Sequence, residues 1–198
     1  MKRLTAVIVS VLALAGCAKP AQQTRYYTLS DEEASLANPA ALAESYRIAI
    51  GPATVPDALD RLQIVLRVPP NRLVISDQQL WSDALKREIP RVIAHEVAQQ
   101  LPAARVAVHQ QYSGQNAKYR VPIDVIRFES VEAKSITLTA EWRVLSRSGD
   151  ILHEARSAYT EVVDSPGMVP LITAHRKALA ALSHEIARAV DALAQAKN

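Results

Sequence analysis

Ser135-Ile136-Thr137-Leu138-Thr139-Ala140-Glu141-Trp142-Arg143-Val144-Leu145 is the most regular stretch of the chain. Ile136, Leu138, Ala140, Trp142 and Val144 fall on one face; Thr137, Thr139, Glu141 and Arg143 fall on the other. A period of two in β-branched and aromatic residues predicts a half-buried antiparallel strand. Just before it, Tyr119 to Phe128 has the same character. Pro122 gives that strand an irregular or edge section, because proline has no amide for the ladder. Gly114-Gln115-Asn116 marks the turn ahead of this pair. Ser148-Gly149-Asp150 turns the chain into a further strand, Leu152 to Val163, whose inward face is poorer in large apolar groups.

Upstream, the alternation shortens. Arg47 to Val55 predicts a strand that leaves through a turn at Gly51-Pro52. Gln63 to Val68 and Leu73-Val74-Ile75 predict two strands of a hairpin around Pro69-Pro70-Asn71. Ser76 then offers a hydroxyl to first-turn amides, with Gln79 three residues on as a capping-box partner. From there Leu80/Trp81, Ala84/Leu85, Ile89, Val92/Ile93, Val97 and Leu101 recur at helical spacing, so a helix is expected from Ser76 to Pro102. Pro90 inside it predicts a kink near Lys86 to Pro90. Arg105 to His109 follows as a short strand, and the strand-helix-strand order predicts a right-handed crossover.

After Pro166-Gly167 an alanine-rich helix is expected from about Met168 to Leu193. Leu171, Ile172, Leu179, Leu182, Ile186, Val190 and Leu193 form its apolar stripe. These elements add up to an α/β single domain, a mixed and largely antiparallel sheet with two long amphipathic helices packed on it.

The N-terminus carries a different kind of signal. Lys2 and Arg3 precede an apolar run from Leu4 to Leu14, and Leu14-Ala15-Gly16-Cys17 closes it. A basic start, an apolar stretch and small residues before the cut define an export signal. A cysteine at the cleavage point makes it a lipoprotein signal, in which Cys17 becomes the acylated first mature residue. The run is too short for a membrane span, which needs about 20 residues. The organisation is therefore a signal peptide over 1–16, an acylated tether over 17–24 and a periplasmic α/β domain over 25–198. Ala18 after the cysteine, in place of aspartate, points to the outer membrane. Cleavage removes Lys2 and Arg3, so the formal charge falls from +3 to +1. No basic cluster suggests nucleic acid. Acylation takes the one cysteine, and no disulfide remains to hold the fold. Arg25-Tyr26-Tyr27-Thr28-Leu29 predicts a short strand beyond the tether.

Catalytic patterns are incomplete. His95-Glu96 lacks the second histidine of a zinc-protease helix, since position 99 is Gln99, and His184-Glu185 meets Arg188 at that place. His109, His153 and His175 have no ligand at metal spacing. There is no Gly-x-Ser-x-Gly turn for a nucleophile. Asp57/Asp60 and Glu129/Glu132 are carboxylate pairs of the kind that solvated loops and strand ends commonly carry. No catalytic residue, metal site or cofactor is expected.

Tyr26-Tyr27-Thr28-Leu29, then Val55-Pro56-Asp57-Ala58-Leu59-Asp60-Arg61 running into Gln63-Ile64-Val65, then Leu80-Trp81 opening a helix, form a recognisable series. With the two long strands and the closing helix in the same order, the chain resembles the ABC-type transport auxiliary lipoproteins, the PqiC-like family. The resemblance implies a lipid-anchored outer-membrane component of an MCE-type (mammalian-cell-entry) phospholipid transport system. Its implied partner is the MCE-domain conduit protein of an inner-membrane complex. The resemblance also implies that Tyr26, Tyr27, Leu29, Val55, Pro56, Asp60 and Arg61 are the first candidates for the partner interface. Leu59, Ile64 and Trp81 fit core positions instead. A homo-oligomer is compatible with a conduit dock. Two alternatives stand beside this one: a structural or assembly lipoprotein of the envelope without lipid handling, and an anchored hydrolase.

Overall fold

The computed structural model describes residues 23–30, 46–68, 71–109 and 116–196. The signal peptide, Cys17 and most of the tether lie outside the described residues, as do Pro69, Pro70, Gly114 and Gln115. Eight strands and two helices follow one another: β1 Arg25–Tyr27, β2 Tyr46–Thr54, β3 Gln63–Val68, β4 Arg72–Trp81, α1 Leu85–Gln100, β5 Ala104–Val108, β6 Tyr119–Val131, β7 Ser135–Ser146, β8 Ile151–Val162 and α2 Met168–Gln195. They form the expected mixed α/β domain.

The sheet branches at β6. One edge of β6 is paired antiparallel with β7 from Tyr119 to Val131, with a gap at Val121 and Pro122 and a bulge after Val125. The other edge is shared, with β2 parallel along Tyr119 to Asp124 and β3 parallel at Ser130. One arm continues from β2 to β5 and the other from β3 through β4 to β1, while β8 extends the sheet beyond β7. α1 packs on β2 and β5, α2 packs on β7 and β8, and the helices touch each other. The stripe read from β7 is the centre of this core, with Ile136, Leu138, Ala140, Trp142 and Val144 all buried. Each large apolar side chain placed there contributes roughly 1.5–3 kcal/mol.

In β6 the buried set runs Tyr119, Val121, Ile123, Val125 and then Phe128 and Ser130. The switch of parity coincides with a register shift between Val125 and Arg127, so a bulge turns the following side chains to the other face. β8 compensates for its few large apolar groups with a polar seat. Trp142 Nε1 donates to Ser157 Oγ at 3.0 Å, and Ser157 and Tyr159 both donate to Glu185 of α2. Burial and the adjoining carboxylate push the Tyr159 phenol up to about 12, so it remains a donor.

Four expectations are corrected. Ser76 to Trp81 is strand, not helix: β1 pairs with Gln79 to Trp81 on one side and β3 pairs with β4 on the other, so both ladders draw this segment into the sheet. The hydroxyl of Ser76 does accept from the Gln79 amide at 3.0 Å, but within a bulge where Ser76 to Gln79 lie opposite Ile64. A capping pattern and a strand bulge place the same side-chain acceptor near the same amide. Second, the helix begins at Leu85 and not at Ser76, so Pro90 falls in the second turn of a single helix, where it removes the bond to the Lys86 carbonyl. Third, Gly51-Pro52 is not an exit but an irregularity within β2. Gly51 takes φ 96°, which glycine adopts without strain, and Pro122 of β6 lies opposite that irregularity, with the β6–β7 pairing also interrupted at Val121 and Pro122. Fourth, β4 and β5 run antiparallel on different arms, so α1 does not link a parallel crossover pair.

Candidate partner-facing site

The two segments singled out in the sequence meet at the end of β4. Tyr26 lies beside Leu80, and Gln63 lies on the other side of the same residue. Two strand spacings, about 10 Å, therefore separate them. The Trp81 amide donates to the Leu62 carbonyl at 2.7 Å, and the Ser82 amide donates to the Tyr27 carbonyl at 2.7 Å. Both segments are thereby held by consecutive amides of one strand end.

Their side chains divide between surface and core. Tyr26 is 65% exposed, Tyr27 is half-buried and packs on the core, and Leu29 is fully buried. Leu29 therefore offers a partner no surface. Val55 and Pro56 are half-buried and lead into a short 3-10 turn, Asp57–Leu59. Asp60 is exposed and pairs with Lys86 at 3.0 Å. Arg61 is half-buried, and its Nε meets no acceptor. Leu59 packs against the core and Ile64 and Trp81 are buried in it. The exposed members of the patch are thus Tyr26, Asp60 and, beside them, Leu62.

Beneath this patch lies a carboxylate that sequence reasoning missed. Glu88 is buried, and its Oε1 accepts from Thr28 Oγ1 at 2.5 Å, from the Leu29 amide at 2.8 Å and from Ser82 Oγ at 3.5 Å. Oε2 has no partner. Burial raises its pKa, and the three donors oppose that rise. Glu88 therefore fastens the segment after β1 to the first turns of α1. The signal was present in the sequence: Glu88 stands at the i+3 place after Leu85 and just before Ile89, within the apolar stripe.

A second buried polar group lies in α2. His175 is fully buried with Nε2 2.7 Å from Ser130 Oγ, its ring 4.1 Å from that of Phe128 and 5.9 Å from that of Trp81. Its Nδ1 meets no partner. A bare ring nitrogen is cheaper to bury than an unpaired N–H, so the proton belongs on Nε2, donating to Ser130. Burial alone lowers its pKa from 6.5 to about 3. His175 also stands in a helical stripe, between Ile172 and Leu179. His95 and His184 instead make surface hydrogen bonds, with Gln99 and Gln100 respectively.

Between the helices an open cleft of about 520 Å³ is lined by Leu29, Ser30, Arg91, Val92, Lys177 and Ala180, among others. Arg91 is tied to Asp83, which also holds Arg87 at the start of α1. Among the described residues no group of three or more His, Cys, Asp or Glu converges to hold a metal ion.

The fold is a branched mixed α/β sheet with two helices packed on it, and Tyr26, Asp60 and Leu62 are exposed around the end of β4. The chain belongs to the ABC-type transport auxiliary lipoprotein component family, whose model matches residues 27–187. Among solved structures, an uncharacterized protein is similar at 18% identity and a TM-score of 0.70, over 85% of this chain and 99% of that one. Protein XCC0632 from Xanthomonas campestris is similar at 15% identity and a TM-score of 0.64, over 81% of this chain and 94% of that one. At these identities the two establish the fold. No curated protein matches the chain.

Proposed function

We propose that this protein is a non-enzymatic, lipid-anchored accessory of an MCE-type intermembrane phospholipid transporter, docking the periplasm-spanning conduit at the outer membrane. Membership of the transport auxiliary lipoprotein family is the observation that carries this reading. The lipoprotein signal ending at Cys17 supplies the attachment: each buried methylene contributes about 0.8 kcal/mol, so several acyl chains hold where one chain releases. Confinement to one membrane surface raises the effective concentration of the domain for a partner that reaches across the periplasm. The patch of Tyr26, Asp60, Arg61 and Leu62 is the docking surface in this reading.

Affinity purification of the acylated protein from detergent-solubilised envelopes, with mass spectrometry of what co-purifies, tests it. An MCE-domain protein is the expected companion. Its consistent absence from an intact, acylated preparation rejects the transporter reading in favour of an envelope scaffold. Cys17→Ser is expected to abolish acylation and move the domain from the membrane pellet to the soluble fraction; a variant that stays in the pellet after a salt wash shows another attachment. Asp60→Lys should weaken partner capture while leaving the thermal melt in place, because the exposed Asp60–Lys86 pair is worth only about 0–1 kcal/mol. A melt lowered by much more than that would assign Asp60 to the fold instead.

A further inference from the structure

The β3–β4 hairpin carries an anomaly for a water-facing element. Leu73, Val74 and Ile75 are consecutive and 42%, 41% and 44% exposed. Consecutive strand residues point to opposite faces, so the apolar surface is present on both sides of the hairpin. Val74 stands beside Leu66 of β3, and Leu73 beside Arg67. A hairpin with one face on a core and one in water alternates apolar with polar. A run of three exposed aliphatic residues breaks that rule and calls for a function. A protein groove would cover one face; an apolar medium that surrounds the tip would cover both.

The position of the anchor says which medium. β1 runs parallel to β4, with Arg25 beside Gln79. Moving backward along the chain from Arg25 therefore goes the same way as moving backward along β4 from Gln79 to Arg72, toward the hairpin tip. Cys17 precedes Arg25 by eight residues, which span at most about 29 Å. The stretch from Arg72 to Gln79 is seven residues, at most about 24 Å of strand. Eight residues of tether are thus long enough for the lipid anchor to come level with the apolar tip.

We propose that the tip of the β3–β4 hairpin, Leu73-Val74-Ile75 with Arg72, docks into the surface of the lipid bilayer that holds Cys17. This rests on the lipoprotein reading of Cys17. The contact is interfacial rather than deep. Among the described residues β1 covers β4 only at Gln79 to Trp81, and backbone groups of a strand edge without a ladder partner cannot enter hydrocarbon. Exposed Arg72 faces the headgroups, where a cation is drawn to anionic lipid. Arg67 is occupied by a bidentate pair with Glu129, at 2.7 and 2.9 Å, and so braces β3 against β6. Anchor and hairpin together are two attachments, and they fix the orientation of the patch around Tyr26 and Asp60 relative to the membrane.

The test places an indole at the tip. Trp81 and Trp142 are buried, so their emission supplies a constant background. Acylated Val74→Trp is incorporated into phosphatidylethanolamine–phosphatidylglycerol vesicles whose acyl chains are brominated near the headgroup, with Thr160→Trp on exposed β8 as the control. The expected result is a blue shift and loss of most of the added emission for Val74→Trp, and neither for Thr160→Trp. Mass spectrometry of the same samples reads acylation separately. Acylated Cys17 with water-like, unquenched emission at position 74 overturns the hairpin proposal alone and gives the tip to a protein partner. Unmodified Cys17 overturns the anchor, and the proposal with it. If Val74→Trp fails to fold, the same comparison is made at Leu73.

Discussion

Between about pH 7.5 and about pH 4.5, His175 by itself is expected to remove about 3 kcal/mol from the unfolding free energy of the domain. The imidazole is neutral in the folded state because burial lowers its pKa from 6.5 to about 3. Once unfolded, it takes a proton below its ordinary pKa. The unfolded state therefore binds more protons throughout the window from 6.5 down to about 3, and stability falls as pH falls through it. Phe128 and Trp81 close over the ring and supply no countercharge. Urea unfolding of the wild type and of His175→Gln at both pH values measures the effect. The variant keeps a partner for Ser130, and its stability should lose most of the acid sensitivity seen in the wild type. Equal losses in the two proteins would show that His175 is not the group responsible.

Glu88→Ala is expected to cost about 2–4 kcal/mol, since it strands the buried Leu29 amide and leaves a hole where the carboxylate stood. Glu88→Gln retains an oxygen for the Leu29 and Thr28 donors and should cost roughly 1 kcal/mol. The pH dependence separates this group from His175. Because the folded pKa of Glu88 is raised, its contribution is fully present below the ordinary carboxylate range and is lost as pH rises through the raised value. The cost of Glu88→Gln should therefore be largest in acid and shrink as pH rises. Hydrogen exchange gives a local readout: the Leu29 amide should exchange much faster in Glu88→Ala than in wild type. Unchanged protection at Leu29 would mean that the clasp is held by something other than Glu88.

Most of the sheet was legible because β7 obeys simple parity along its whole length. β7 shows its core face residue by residue, and β6 and β8 follow from the turns beside it. The misreading at Ser76 has a physical source. Ser, Asp and Gln satisfy nearby backbone amides equally well at a helix start and in a strand bulge, so local chemistry could not separate them. What decided the matter was pairing with β1 and β3, which are distant in sequence. The same limit applies to the site. Tyr26 and Asp60 could be singled out separately, but their approach across the end of β4 is tertiary. Leu29 looked like a surface residue of a short motif until Glu88, far along the chain, drew its amide inward. Glu88 and His175 were visible as polar residues in apolar stripes, a pattern that marks buried hydrogen-bonded groups when the stripe is continuous on both sides.

The shared edge of β6 also sets a timetable. Ile48 meets Tyr119, and Leu66 meets Ser130. A chain delivered N-terminus first therefore presents β2 and β3 well before the strand that both require. During that interval each has a bare edge able to pair with another chain. When residues 119–131 arrive they act as a keystone, joining two arms that share no direct ladder among the described residues. Contacts so distant in sequence close slowly. A fragment ending before Tyr119 is consequently not half a domain but two unfinished ones, and the period of greatest vulnerability ends with the arrival of a single strand.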